Sequence, residues 1–87
     1  MSWDDISYVV ASKTRKSIML KLETPRTPTF IAKDLNLNLA NVSRSLSELE
    51  DKGMIVCLTP DQRTGKIYSL TKKGNKALET IKNMEKA

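Results

Sequence analysis

Apolar residues recur along this chain at helical spacing, switch to alternation, and then return to helical spacing. Trp3, Ile6, Val9 and Val10 are spaced for one face of a helix, and Ser2 with Asp5 three residues on has the form of a capping box. Ile18, Met19 and Leu22 continue a helical stripe over residues 13–22. Ser12 is placed to cap a restart, so the pattern fits either one bent helix or two. Pro25 and Pro28 forbid a continuous helix through 23–28, which reads as a loop. Thr27 then caps a helix over 28–35, with Pro28 at its first position and Phe30, Ile31 and Leu35 as its apolar face. Asn36 stands where the chain must turn, and Asn is among the few residues that accept a left-handed backbone. Leu37 plugs the turn and Asn38 caps a longer helix, whose buried stripe is predicted to be Leu39, Val42, Leu46 and Leu49. Gly53 ends that helix just after Lys52.

Residues 54–58 (MIVCL) and 66–70 (KIYSL) read as two strands of a hairpin. Its polar loop, 59–65, carries Arg63 at the tip. On the second strand Ile67 and Ser69 share one face, and Tyr68 and Leu70 the other. Cys57 inside the first strand reads as a small buried apolar residue. Thr71 caps a final helix over about 72–86, striped by Ala77, Leu78, Ile81 and Met84. That stripe packs either against its own domain or against a second copy, and the same choice is open for the Trp3 helix. No repeat, low-complexity tract or linker interrupts the order, so 1–87 is expected to be one domain of α+β class, mostly α. Helices this short are not stable alone and must share one core.

Composition removes several function classes. A chain of 87 residues has room for one modest core and little for a catalytic pocket. With one cysteine and no histidine it has no internal disulfide, no Cys/His zinc set and no His-based acid–base catalysis. It lacks any nucleophile–base constellation and any phosphate-cradling Gly loop, so no enzyme activity and no cofactor are expected. No stretch approaches the roughly 18 apolar residues of a spanning helix, and no signal-peptide core is present, so a cytoplasmic, nucleoid-associated location is expected. The net charge of +5 is concentrated. Residues 1–58 hold eight Lys/Arg against seven Asp/Glu, whereas 59–76 hold Arg63, Lys66, Lys72, Lys73 and Lys76 against Asp61 alone. A basic segment of this kind points to a polyanion, with a solvated charged loop as the bland alternative.

The longer helix carries the candidate chemistry on the side away from its leucines. At about 100° per residue that side presents Ala40, Asn41, Arg44 and Glu48, with Asn38, Ser45 and Ser47 at its start or flanks. Small residues let a helix approach the major groove, and Asn and Arg make bidentate contacts to base edges; a merely solvated face of Asn, Ser and Arg is the alternative reading of the same residues. Acidic residues repel phosphate, and here Glu48, Glu50 and Asp51 fall late in the helix. Lys13, Arg15, Lys16 and Lys21 are read as exposed, serving either a DNA backbone or solubility.

Helix, helix, helix-turn-helix, hairpin, helix: in that order the chain resembles a winged helix-turn-helix domain, closest to prokaryotic transcription regulators of the MarR and ArsR type. The helix-turn-helix would be about 28–52, the wing 54–70 and the C-terminal helix 72–86. SKTRKSIMLKL (12–22) is similar to the helix that opens the ArsR-like core, and NVSRSLSELEDKGMI (41–55) to a recognition helix with its "L-x-x-K-G-hydrophobic" exit. Asp61-Gln62-Arg63 resembles the D-x-R of the MarR wing tip, where the Arg enters the minor groove and the Asp positions it. Leu70-Thr71-Lys72-Lys73-Gly74 resembles the L-T-x-x-G that follows that wing. ArsR-type metal sensing needs several Cys or His ligands, so no metal is expected. The chain is shorter than typical MarR proteins, whose long terminal helices build the dimer and the ligand pocket, so a MarR-style effector site is not expected, and compact winged helices of this length suggest an archaeal source.

The resemblance implies a sequence-specific regulator binding double-stranded DNA as a homodimer. Asn41 and Arg44 would be the main base readers, with Asn38, Ala40, Ser43 and Ser45 close to bases or phosphates. Arg63, held by Asp61, would enter the minor groove, with Thr64 and Lys66 on phosphates beside it. Thr29 and Ser47 would contact the backbone. Two other readings use the same residues: a winged-helix protein–protein interaction module, and a non-specific architectural or RNA-binding protein.

Overall fold

Caps written into the sequence set most element boundaries in a computed structural model of the chain, which describes residues 3–86. Helix α1 spans Trp3–Val10 and α2 spans Lys13–Lys21. The two are separate helices because Ser12 takes extended backbone and its side chain accepts from the Arg15 N–H at 3.3 Å. The capping role of Ser2 lies outside the described residues. Thr27 accepts from the Phe30 N–H and opens α3, Pro28–Leu35, with Pro28 in the first turn. Asn36 is left-handed at φ 55°, ψ 48°, and Asn38 accepts from the Ala40 N–H at 2.8 Å to start α4, Leu39–Asp51. Strands β1, Ile55–Cys57, and β2, Tyr68–Leu70, pair antiparallel with Val56 opposite Ser69. Helix α5, Lys72–Glu85, closes the order.

One core joins all seven elements. Ile6 and Val9 of α1, Ile18 and Met19 of α2, and Ile31 of α3 meet Val42, Leu46 and Leu49 of α4. Met54, Ile55 and Leu70 close the core under the hairpin, and Ala77, Leu78 and Ile81 cover it from α5. The α5 stripe therefore packs on its own domain. No charged or polar residue is buried among the described residues.

The exit of α4 is held by the entry of α5. Gly53 turns at φ +75°, and its carbonyl accepts from the Thr71 hydroxyl at 2.6 Å. Lys73 donates to the Lys52 carbonyl at 2.7 Å and pairs with Asp5 at 3.4 Å. Thr71 also caps α5 by accepting from the Gly74 N–H. Gly74 packs so closely under Met54 that a β-carbon there would stand 2.0 Å from the Met54 carbonyl oxygen. The spacing L-T-x-x-G is thus a joint fixing the end of α4 to the start of α5.

Several expectations need correction. Leu39 does not belong to the buried stripe: it is 48% exposed, because the first residue of α4 overhangs the space beside the wing, ahead of the core. Phe30 leaves the α3 core face and stacks under Arg26. Met84 is 47% exposed, one turn beyond the last buried residue of α5, and Trp3 and Val10 also point outward. Cys57 is half-buried, since β1 has left the core by its third residue. The strands are shorter than 54–58 and 66–70 because Leu58 and Ile67 pair only through one hydrogen bond, after which Thr59 closes the loop by accepting from the Ile67 N–H at 3.0 Å. Ile67 consequently lies outside β2. The 23–28 loop hides a further sheet contact: Arg26 bridges Tyr68 through N–H···O bonds of 3.1 and 2.9 Å.

Candidate nucleic-acid interface

Helix α4 lies between two open grooves, and most of the expected site residues line one or the other, whereas Asn38, Ala40, Ser47 and Asp61 line neither. One groove separates α4 from the start of α2 and is lined by Asn41, Arg44, Ser45 and Glu48 facing Ser12, Thr14 and Arg15. The other separates α4 from the wing, where Leu39 and Ser43 face Pro28 and Thr29 of α3 and Arg63, Thr64, Gly65 and Lys66 of the wing. Both groupings follow from the helical angle. Asn41, Ser45 and Glu48 fall on one side of the exposed face and Leu39 and Ser43 on the other, with Ala40, Arg44 and Ser47 between. Asn38, Ala40, Asn41, Ser43, Arg44 and Ser47 are exposed, whereas Ser45 is half-buried.

Arg44 and Asn41 are linked in the absence of any partner. The Arg44 guanidinium donates to Asn41 Oδ1 at 3.1 Å, one turn apart on the same helix. The contact holds both side chains toward the outer face of α4. Behind them Arg15 stacks at 3.9 Å on the Tyr8 ring and donates to the Tyr8 carbonyl, and Lys52 approaches the same ring at 4.9 Å. Burial pushes the Tyr8 phenol above its ordinary pKa, and the nearby Glu48 carboxylate adds to the shift.

The charges differ in how they are spent within the fold. Lys16, Lys21, Lys73 and Lys82 each face an acid: Glu85, Asp34, Asp5 and Glu23 respectively. Arg63 and Lys66 have no acidic partner among the described residues. Asp61, expected to position Arg63, forms no ion pair with it among the described residues, and both are exposed at the tip. Gly65, at φ +67° with open space around it, reverses the tip and brings Lys66 back toward Thr29. The wing groove therefore combines unpaired cations, hydroxyls and an exposed leucine, and no acid lines it.

Sequence patterns had not placed Ser12, Thr14 and Arg15 against α4, nor Arg26 at the edge of the sheet. The Ser12 cap was a visible signal for the first group, because a capped helix start aims N–H groups outward. Arg26 had no such signal. Its side chain stacks on Phe30 at 4.4 Å, and its Nε is buried with no hydrogen-bond partner among the described residues.

Residues 7–87 match the family model of winged helix-turn-helix proteins. A relative from Methanocaldococcus jannaschii, named as an uncharacterised HTH-type transcriptional regulator, is 37% identical over 87 residues, covering 93% of this chain and 76% of that protein. The chain belongs to the winged helix-turn-helix family of transcription regulators. Among solved structures, this winged helix resembles the transcriptional repressor CouR bound to a 23-mer DNA duplex, at a TM-score of 0.75 and 30% identity over 92% of the chain. It also superimposes on the multiple antibiotic resistance repressor MarR at a TM-score of 0.77 over 93% of the chain, where 21% identity makes the likeness one of fold. The chain spans 61% of the length of each of these two structures. The resemblance read from the recognition helix, the D-x-R and the L-T-x-x-G is borne out at the level of family and fold. The family is one of regulators, not enzymes. No described helix is long and apolar enough to cross a membrane.

Proposed function

We propose that this winged helix is a sequence-specific regulator that binds duplex DNA as a homodimer, acting as one DNA-binding domain in the cytoplasm. Helix α4 enters the major groove, where Asn41 and Arg44 read base edges and Asn38, Ala40, Ser43 and Ser45 lie against bases or phosphates. Arg63 enters the adjacent minor groove, where narrow A·T-rich stretches favour an inserted cation. Thr64 and Lys66 hold phosphates beside it, and Thr29 and Ser47 contact the backbone. The observation that carries this reading is the convergence of Thr29, Ser43, Arg63, Thr64 and Lys66 on one acid-free groove beside the exposed face of α4. These residues come from three separate stretches of sequence. The solved repressor of the same fold held on a DNA duplex supports the partner class.

The size of the footprint supports a homodimer. One α4 covers only part of a turn, and two copies set about 34 Å apart would read successive major grooves. Trp3 and Val10 on α1 and Met84 on α5 are apolar side chains that their own core leaves uncovered, and they suit such a contact.

Selection from a random duplex library, with titration of the enriched duplex and a scrambled one at two salt concentrations, tests the reading. A two-fold-symmetric motif bound more tightly than the scramble at both salts is the expected result. Steep salt dependence with no enrichment is the behaviour of an architectural binder. No binding to either duplex is that of a protein-interaction module.

A further inference from the structure

Leu39 is out of place for a structural leucine. It is the first residue of α4, 48% exposed, and its neighbours across the wing groove are Thr29, Ser43, Arg63 and Lys66. By the helical angle it lies about 40° from Ser43 and about 20° from the buried Leu46, at the wing-side edge of the exposed face. It is open because the helix starts there ahead of the core. A lone exposed leucine is ordinary on a protein surface. This one stands at the leading end of the helix offered to DNA, bordered by Leu37 and Ala32 on one side. On the other it opens to a groove that holds Pro28 and Tyr68 together with hydroxyls and with cations that have no acidic partner among the described residues. Whatever covers it must satisfy two demands together: negative charge for Arg63 and Lys66, and an apolar surface for Leu39. A duplex major groove presents one such apolar feature, the 5-methyl group of thymine, with phosphates on either side.

We infer that Leu39 is a specificity-determining residue that reads thymine by its 5-methyl group, at the wing-side end of each half-site. The inference rests on the proposed DNA reading and adds a base to it. Asn41 and Arg44 select by hydrogen bonds on the α2 side of the helix, and Leu39 selects by apolar contact on the other. Because the methyl group alone is read, cytosine is rejected there through a missing contact, not through a clash.

The test uses the full chain and the enriched duplex, with each thymine replaced singly by deoxyuridine, which removes only the methyl group. One thymine in each half-site is expected to bind about fourfold more weakly after replacement, the worth of one buried CH₂. In Leu39→Ala the thymine duplex should weaken by a similar factor and the thymine–uracil difference at that position should vanish. In Leu39→Met, which keeps an apolar end, the difference should persist. A scan in which no thymine responds overturns the inference, with no variant needed. So does a response that survives in folded Leu39→Ala. Loss of all sequence preference in the native protein would instead bring down the parent reading, and the inference with it.

Discussion

Gly74 sits where the end of α4 is tied to the start of α5, and Gly74→Ala tests whether that joint is as tight as its geometry. The added β-carbon would lie 2.0 Å from the Met54 carbonyl oxygen, 2.9 Å from the Met54 carbonyl carbon and 3.3 Å from Leu70 Cδ2. Two of these partners are backbone, so a side-chain rotation cannot relieve the contact. The start of α5 must retreat by about 1 Å to bring the shortest distance, 2.0 Å, up to the 3.0 Å that real β-carbons respect. That retreat pulls on the Thr71 N–H bond to Met54, 3.0 Å, and the Thr71 hydroxyl bond to Gly53, 2.6 Å. Overpacking of this kind costs about 1–3 kcal/mol, and a weakened N-cap adds about 1 kcal/mol. Replacing a helical glycine by alanine returns about 1 kcal/mol through propensity. The net loss is roughly 2 kcal/mol, which for a domain of this size lowers Tm by about 10 °C. Thermal and urea denaturation followed by circular dichroism measure it. An unchanged or raised Tm would mean that helix propensity wins and that the joint has slack.

Arg44→Ala should cost roughly 1–3 kcal/mol on the enriched duplex and relax base choice at the position it reads; unchanged selectivity in a repeat selection removes it from base readout. Arg63→Ala should weaken binding mainly where the flanks are A·T-rich, and equal losses on G·C flanks would reduce it to a phosphate contact. Burial holds the Tyr8 and Tyr68 phenols above their ordinary pKa of 10.0, so the folded state keeps protons that the unfolded chain gives up. Their contribution to stability is present below pH 10 and is lost as pH rises above it. Urea midpoints should therefore fall on going from neutral pH to above 10, by less in Tyr68→Phe, and equal falls in both proteins would exclude Tyr68 as a source.

What the sequence made legible was local. The caps at Ser12, Thr27, Asn38 and Thr71 each depend on a side chain bonding backbone within three residues, and the left-handed Asn36 that ends α3 depends on the backbone tolerance of Asn, so these signals survive without tertiary context. The resemblance at the wing and at L-T-x-x-G placed the remaining elements in order. The failures were long-range. Leu39 obeys the α4 periodicity, yet the helix begins where the core has ended. Arg26 reaches Tyr68 across more than forty residues, and two flanking prolines made its segment read as a loop. The strand ends were overdrawn because β-prone residues continue past the point where Thr59 turns the chain. For the candidate site, residue types and spacing named both edges of α4, but only the fold showed that Thr29 and Ser43 meet the wing while Asn41 and Arg44 face α2.

The central claim, α4 in the major groove with the wing in the neighbouring minor groove, is tested most directly by methylation interference on the enriched duplex. Methylation at guanine N7 blocks the major groove and at adenine N3 the minor groove. The account predicts N7 interference at the centre of each half-site and N3 interference in the flanks, the first lost in Arg44→Ala and the second in Arg63→Ala. Interference confined to the minor groove, or a pattern that neither substitution changes, would contradict it.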